Sequence, residues 1–153
     1  MSEDRVRVAI VGCGREGSAL LVDFATRPFI DVMAVCDRDP DSPGAKKAAQ
    51  FGIPFVTRLD DLVARSSEHD LIIEVTGNPD VKPHLKKALL EQGNDTTIIV
   101  HDLVARLILS LAADAHTLVP TMHPTDVGIG VRIDEWSELG PCEIEDDDAD
   151  AAG

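Results

Sequence analysis

The chain has 153 residues, 44% of them hydrophobic, and a formal net charge of −14, which suits one globular domain and is too apolar for a disordered chain. No apolar run approaches the ~20 residues of a membrane span, and a surface this acidic repels phosphate backbones. Neither membrane insertion nor nucleic-acid binding is expected.

The acidic start Met1-Ser2-Glu3-Asp4 leads directly into a strand pattern, unlike a secretory signal, so a cytoplasmic protein is expected. Asp exceeds Glu and Arg exceeds Lys, a usage resembling that of halophilic proteins, whose self-repulsion high salt screens. Cys13, Cys36 and Cys142 have no Cys-x-x-Cys or His/Cys ligand spacing. They suit small buried residues better than a disulfide scaffold or a zinc site.

In chain order, Arg5–Val11 alternates and then becomes continuously apolar, as a strand does on entering a core. Gly12-Cys13-Gly14 follows, then a helical pattern over Arg15–Thr26 with Leu20, Leu21 and Phe24 facing inward and Pro28 beyond its end. Ile30–Cys36 is a second strand, stopping at Asp37. The cluster Asp39-Pro40-Asp41-Ser42-Pro43-Gly44 opens a short helix over Ala45–Gln50, which Gly52 ends. Pro54–Val56 reads as a brief third strand, and Leu59–Arg65 as a short helix capped by Asp60 and Asp61 or by Thr57. Leu71–Val75 is a buried strand, Thr76-Gly77-Asn78-Pro79 a turn, and Val81–Gln92 a helix that Gly93 stops. Thr97–Val100 and Leu103–Ala113 supply a fifth strand and a fifth helix.

Strict alternation of strand and helix is the pattern of an α/β fold, a doubly wound parallel sheet. His116–Val119 and Gly128–Ile133 suggest a last strand or a hairpin, and the acidic Glu143–Gly153 a disordered tail. A single domain over 1–142 and a tail over 143–153 are therefore expected.

Gly12-Cys13-Gly14-Arg15-Glu16-Gly17 matches G-x-G-x-x-G, a weak signal alone. Here it follows a strand, opens a helix, and is followed about twenty residues on by Asp37, the full dinucleotide-binding fingerprint. Gly12 permits the tight turn, Gly14 lets a pyrophosphate reach the backbone, and Gly17 lets helix and strand pack closely. The N–H groups of Arg15–Gly17 and the helix dipole favour phosphate. Asp37 would accept the adenosine ribose hydroxyls, which favours NAD. Arg15 and Arg38 would admit NADP if they reached a 2′-phosphate, and otherwise are solvated charges.

Thr76, Gly77 and Asn78 stand beside the switch point, either closing over the cofactor or serving as plain turn residues. His101 could meet a nicotinamide or a small ligand with Asp102 orienting it, or it ends the strand while Asp102 caps the next helix. No catalytic or metal-ligating residue is assigned. His116 and His123 have no partner spacing.

Through Val8-Ala9-Ile10-Val11-Gly12-Cys13-Gly14-Arg15-Glu16-Gly17 and Ala34-Val35-Cys36-Asp37-Arg38-Asp39-Pro40, Val6–Asp80 resembles the cofactor domain of the glucose–fructose oxidoreductase and inositol dehydrogenase superfamily. The cofactor domains of homoserine and aspartate dehydrogenases are similar over the same stretch. The resemblance implies an NAD(P)-binding Rossmann fold. In that superfamily the fifth strand runs into Glu-Lys-Pro, whose lysine serves catalysis. Val100-His101-Asp102 stands there in this chain, and too little sequence remains for the family's substrate-bearing sheet domain.

Asp70–Pro79 and His101–Leu107 also look like Rossmann modules placed upstream of bacterial sensor kinases. A dinucleotide-binding sensor or regulatory module is therefore expected. The alternatives are a small NAD(P)-dependent oxidoreductase completed by a partner subunit and a nucleotide-gated domain of the ion-transporter type. The apolar surface of Leu103–Leu111 suggests either a homodimer through this helix or a core helix packed on both sides, and a sensor module would act with a separate partner chain.

Overall fold

The computed structural model describes residues 4–120. Five strands form one parallel sheet: β1 (Val6–Val11), β2 (Ile30–Cys36), β3 (Phe55–Val56), β4 (Leu71–Glu74) and β5 (Ile98–Val100). Their spatial order is β3-β2-β1-β4-β5, so β2 and β3 are added on one side of β1 and β4 and β5 on the other, and the boundary between β1 and β4 is the switch point of a doubly wound sheet. The register sets Val11 beside Cys36 on one side and Glu74 on the other. Three strand ends therefore converge at one edge.

Successive strand residues point to opposite faces, and both faces are covered. Val8, Ile10, Val35 and Ile73 pack on Leu20, Leu21 and Phe24 of α1 (Arg15–Ala25), Ala48 of α2 (Pro43–Phe51) and Ala105 of α5 (Asp102–Ala112). Ala9, Val11, Ala34, Cys36 and Ile72 pack on Leu62 and Val63 of α3 (Leu59–Val63) and Leu85 and Leu89 of α4 (Val81–Glu91). Burial on both faces explains why the strands read as continuous apolar runs.

Several boundaries differ from the sequence reading. Helix α2 starts at Pro43 because Ser42 Oγ accepts the Ala45 N–H at 3.2 Å and proline suits the first helical position. Helix α3 ends at Val63 and gives way to a 3-10 turn over Ser66–Glu68. Its cap position is Arg58, with no side-chain cap bond; Asp60 and Asp61 lie inside the first turn, where a carboxylate acts on the helix dipole. Asp102 is likewise not a cap: His101 holds that position, and Asp102 is the first residue of α5, bonded to Arg106 Nε at 2.8 Å.

His116–Val119 is no strand. Val119 donates its N–H to Ser110 Oγ at 2.9 Å and its carbonyl accepts from Arg106 Nη1 at 3.2 Å, so α5 side chains occupy the groups a ladder would use. Gly128–Ile133, His123, Cys142 and the tail 143–153 lie outside the described residues. Among the described residues no helix is long and apolar enough to cross a membrane.

Candidate functional site

The turn after β1 is built by close approach. Gly12 sits at φ +95°, and a Cβ there would lie 2.8 Å from the Thr76 nitrogen. A Cβ on Gly17 would lie 1.8 Å from the Gly12 carbonyl oxygen, so only glycine lets α1 start against the turn. Gly14 differs: no protein atom lies within 4 Å of its Cβ direction. It borders a cleft of about 790 Å³, within the usual range for a small-molecule site.

The cleft wall contains Gly12, Cys13, Gly14, Arg15, Glu16 and Gly17 from the turn, Asp37 and Arg38 from the end of β2, and Thr76 and Asn78 from beyond β4. Thus every residue assigned to the dinucleotide site from the sequence, Gly77 excepted, borders one space, whereas the further candidate His101 does not. Gly77 turns the loop at φ +73° and is not part of the wall.

Asp37 has a role the sequence did not disclose. Its Oδ2 accepts the Cys13 N–H at 2.7 Å and its Oδ1 the Asp39 N–H at 2.9 Å. The carboxylate thereby braces the glycine turn. Each oxygen keeps a lone pair, which leaves capacity for ribose hydroxyls. Arg15 and Arg38 are exposed, with no ion-pair partner among the described residues. Glu16 is buried although it opens α1 and borders the cleft.

Cys13 and Cys36 are buried, as expected, at the ends of neighbouring strands and in the cores on opposite faces of the sheet. Burial, reinforced by the Asp37 charge, pushes both thiols up to about 12. They are inert packing residues at neutral pH.

Sequence reasoning missed the outer wall. Thr57, Arg58, Leu59 and Asp60 line it from the start of α3, and Asp80, Val81 and His84 from the start of α4. Asp60 Oδ1 and His84 Nε2 meet at 3.2 Å across the two helices. No spacing rule links these positions, so nothing in the sequence pointed to them.

Glu74 was also missed, although a lone carboxylate ending the apolar run Leu71–Ile73 is a visible signal. It is 1% exposed. Glu74 Oε2 stands 3.5 Å from His101 Nδ1, and Asp102 Oδ2 accepts from Arg106 Nε at 2.8 Å. His101 is outside the cleft wall.

A dinucleotide fits this arrangement. The space over Gly14 is open, the first-turn N–H groups of α1 have no carbonyl partner within their own helix, and a carboxylate stands at the end of β2.

The chain matches the GFO/IDH/MocA oxidoreductases, a family with an NAD-binding Rossmann fold, over residues 6–100. It is 33% identical over 93 residues to an acetaldehyde dehydrogenase of Geobacillus thermodenitrificans, covering 58% of this chain and 30% of that protein. The acetaldehyde dehydrogenase of Geobacillus stearothermophilus is 25% identical over 134 residues, or 87% of this chain and 40% of the relative. The chain thus spans less than half the length of these relatives. Among solved structures, GenD2 from gentamicin A biosynthesis in complex with NAD superposes with a TM-score of 0.51 at 24% identity, over 74% of this chain and 33% of that one. The WlbA dehydrogenase of Chromobacterium violaceum, in complex with NADH and UDP-GlcNAcA, gives 0.53 at 21%, over the same shares. A myo-inositol dehydrogenase from Corynebacterium glutamicum gives 0.51 at 19%, over 72% and 33%. Both the sequence match and the sheet order lead to one assignment: the chain belongs to this oxidoreductase family, and residues 6–100 form its NAD-binding Rossmann domain.

Proposed function

We propose that the cleft holds NAD in one orientation across the end of β1. In this reading the pyrophosphate lies over Gly14 against the N–H groups of Arg15, Glu16 and Gly17. The adenosine ribose meets Asp37, and the other half of the molecule runs toward Thr76, Gly77 and Asn78. The observation that carries it is the open space above Gly14, bounded by a carboxylate on one side and a polar loop on the other. Asp37 disfavours a 2′-phosphate, so NAD is preferred; Arg15 and Arg38 are the groups through which NADP would bind.

The bound nicotinamide would supply hydride exchange. This chain's residues bind and orient; the groups that meet a substrate come from a partner chain or a second copy. Helix α5, with Leu103, Leu107 and Leu111 exposed among the described residues, is the face for that contact. The molecule is then the cofactor-holding part of a cytoplasmic oxidoreductase, with one domain over 1–142 and an acidic tail over 143–153. A second reading, a dinucleotide sensor or regulatory module, is favoured by one feature: His101 stands where the family's lysine is expected, and it lies off the cleft wall.

Calorimetric titration with NAD, NADH, NADP and NADPH tests the site, in high-potassium buffer to screen the charge of −14. Micromolar binding of NAD, lost in Asp37→Ala, is expected; a folded protein that binds none of the four overturns the proposal. Hydride exchange with small aldehydes in the presence of a co-purified partner separates the two readings, because a pure sensor turns over no cofactor.

A further inference from the structure

A carboxylate with 1% exposure at the end of a central strand needs a reason, since an apolar residue would fill that place at no electrostatic cost. Glu74 Oε1 accepts the Thr76 N–H at 2.8 Å and also the Thr76 hydroxyl. Thr76 Oγ1 in turn accepts the Asn78 N–H at 3.0 Å, and Asn78 Oδ1 accepts the Asp80 N–H at 3.0 Å, one residue before α4. This chain of bonds sets the course of the loop from the end of β4 to the start of α4. The same loop presses on the glycine turn, where the Thr76 nitrogen blocks any side chain at position 12. Thr76 and Asn78 both border the cleft, and Glu74 itself does not. Its second oxygen faces His101 Nδ1 at the cap position of α5.

We infer that Glu74 is a positioning residue for the dinucleotide: through Thr76 it fixes the 76–78 loop against the half of the ligand remote from Asp37. The inference rests on the proposed NAD site and deepens it. The sheet order gives the two halves of the ligand separate supports. Asp37 follows β2, Thr76 follows β4, and β1 lies between them. Loss of Glu74 acts on one half only.

The test compares Glu74→Leu, Glu74→Gln and Thr76→Val in the full chain. Leucine removes the carboxylate and leaves the Thr76 N–H without its acceptor, so the thermal midpoint should fall while the chain stays folded. Affinity for NAD should fall tenfold or more in Glu74→Leu and by less in Glu74→Gln, which keeps an acceptor for the Thr76 N–H. Thr76→Val should be intermediate, and binding of AMP should stay within twofold throughout. Without any ligand, amide exchange at Thr76–Asn78 should accelerate in Glu74→Leu while strand amides keep their protection. Equal loss of AMP and NAD, or unchanged NAD affinity and exchange in the folded variants, overturns the inference. If Glu74→Leu does not fold, Glu74→Gln and Thr76→Val decide by the same two readouts. A parent chain that binds no NAD defeats the site proposal instead, and the exchange experiment still reports on the loop.

Discussion

Gly17 and Gly14 lie three residues apart, and the same substitution should have opposite consequences at each. At Gly17, within the first turn of α1, alanine gains about 1 kcal/mol of helix propensity. Its Cβ, however, would lie 1.8 Å from the Gly12 carbonyl oxygen and 3.5 Å from Ile10 Cγ2. The nearer obstacle is backbone, so no side-chain rotation relieves it, and α1 must move off the turn. Overpacking of this kind costs roughly 1–3 kcal/mol, and a rigid obstacle puts the cost at the upper end. Gly17→Ala should lose about 2 kcal/mol net, which for a domain of this size lowers Tm by roughly 4–8 °C. NAD affinity should fall with it, because the turn itself is displaced.

Gly14→Ala meets nothing within 4 Å. Its stability cost stays below about 1 kcal/mol, the difference between glycine and alanine at a cap. Its methyl group points into the space assigned to the pyrophosphate, and affinity should drop at least tenfold, about 1.4 kcal/mol. Thermal melts and calorimetric titrations of both variants are the assay. A Gly17→Ala chain as stable as its parent would refute the packing argument. A Gly14→Ala chain that binds NAD normally would place the ligand elsewhere.

Leu85 is fully buried in the core shared by α3, α4 and the sheet, so Leu85→Ala should cost about 2–5 kcal/mol in urea unfolding; a loss under about 1 would mean that the face collapses around the gap. In a Cys142→Ser chain the thiols of Cys13 and Cys36, raised to about 12, should not react with a disulfide reagent at pH 8 until urea unfolds the chain; fast labelling of that folded variant contradicts their burial. Stability should fall on the acid side. The hydrogen-bonded Arg7 guanidinium holds the Asp70 carboxyl below its ordinary range, so that contribution is complete above the ordinary value and lost as pH falls through the depressed one. Burial lowers His69, so the folded state favours its neutral ring, and stability declines as pH drops below about 6.5. Exposure of the Arg7–Asp70 pair keeps its share small. Urea midpoints in constant salt should therefore rise with pH in two windows, the Asp70 share below its ordinary 3.8 and the His69 share below 6.5; a profile flat in either window removes that assignment.

Local chemistry written along the chain was enough for the elements and the glycine turn. Apolar runs of strand length, the G-x-G-x-x-G spacing and Asp37 each follow from neighbours within one βαβ unit, so the alternation and the first half of the cleft were legible. What depended on the meeting of distant segments was not. The outer wall joins Asp60 to His84 through the packing of α3 on α4. Asp37 braces Cys13 from across a strand, because β2 lies beside β1 in register. Asp102 turned from cap to ion-pair partner because Arg106, one helical turn on, reaches it. Glu74 shows the division best. The sequence displays an unexplained charge in a buried strand, and only the parallel order β1-β4-β5 places it between the 76–78 loop and His101. Backbone preference and periodicity act over a few residues and so can be read in order. Side-chain partners are chosen by which strand ends lie side by side, and that is decided when the sheet closes.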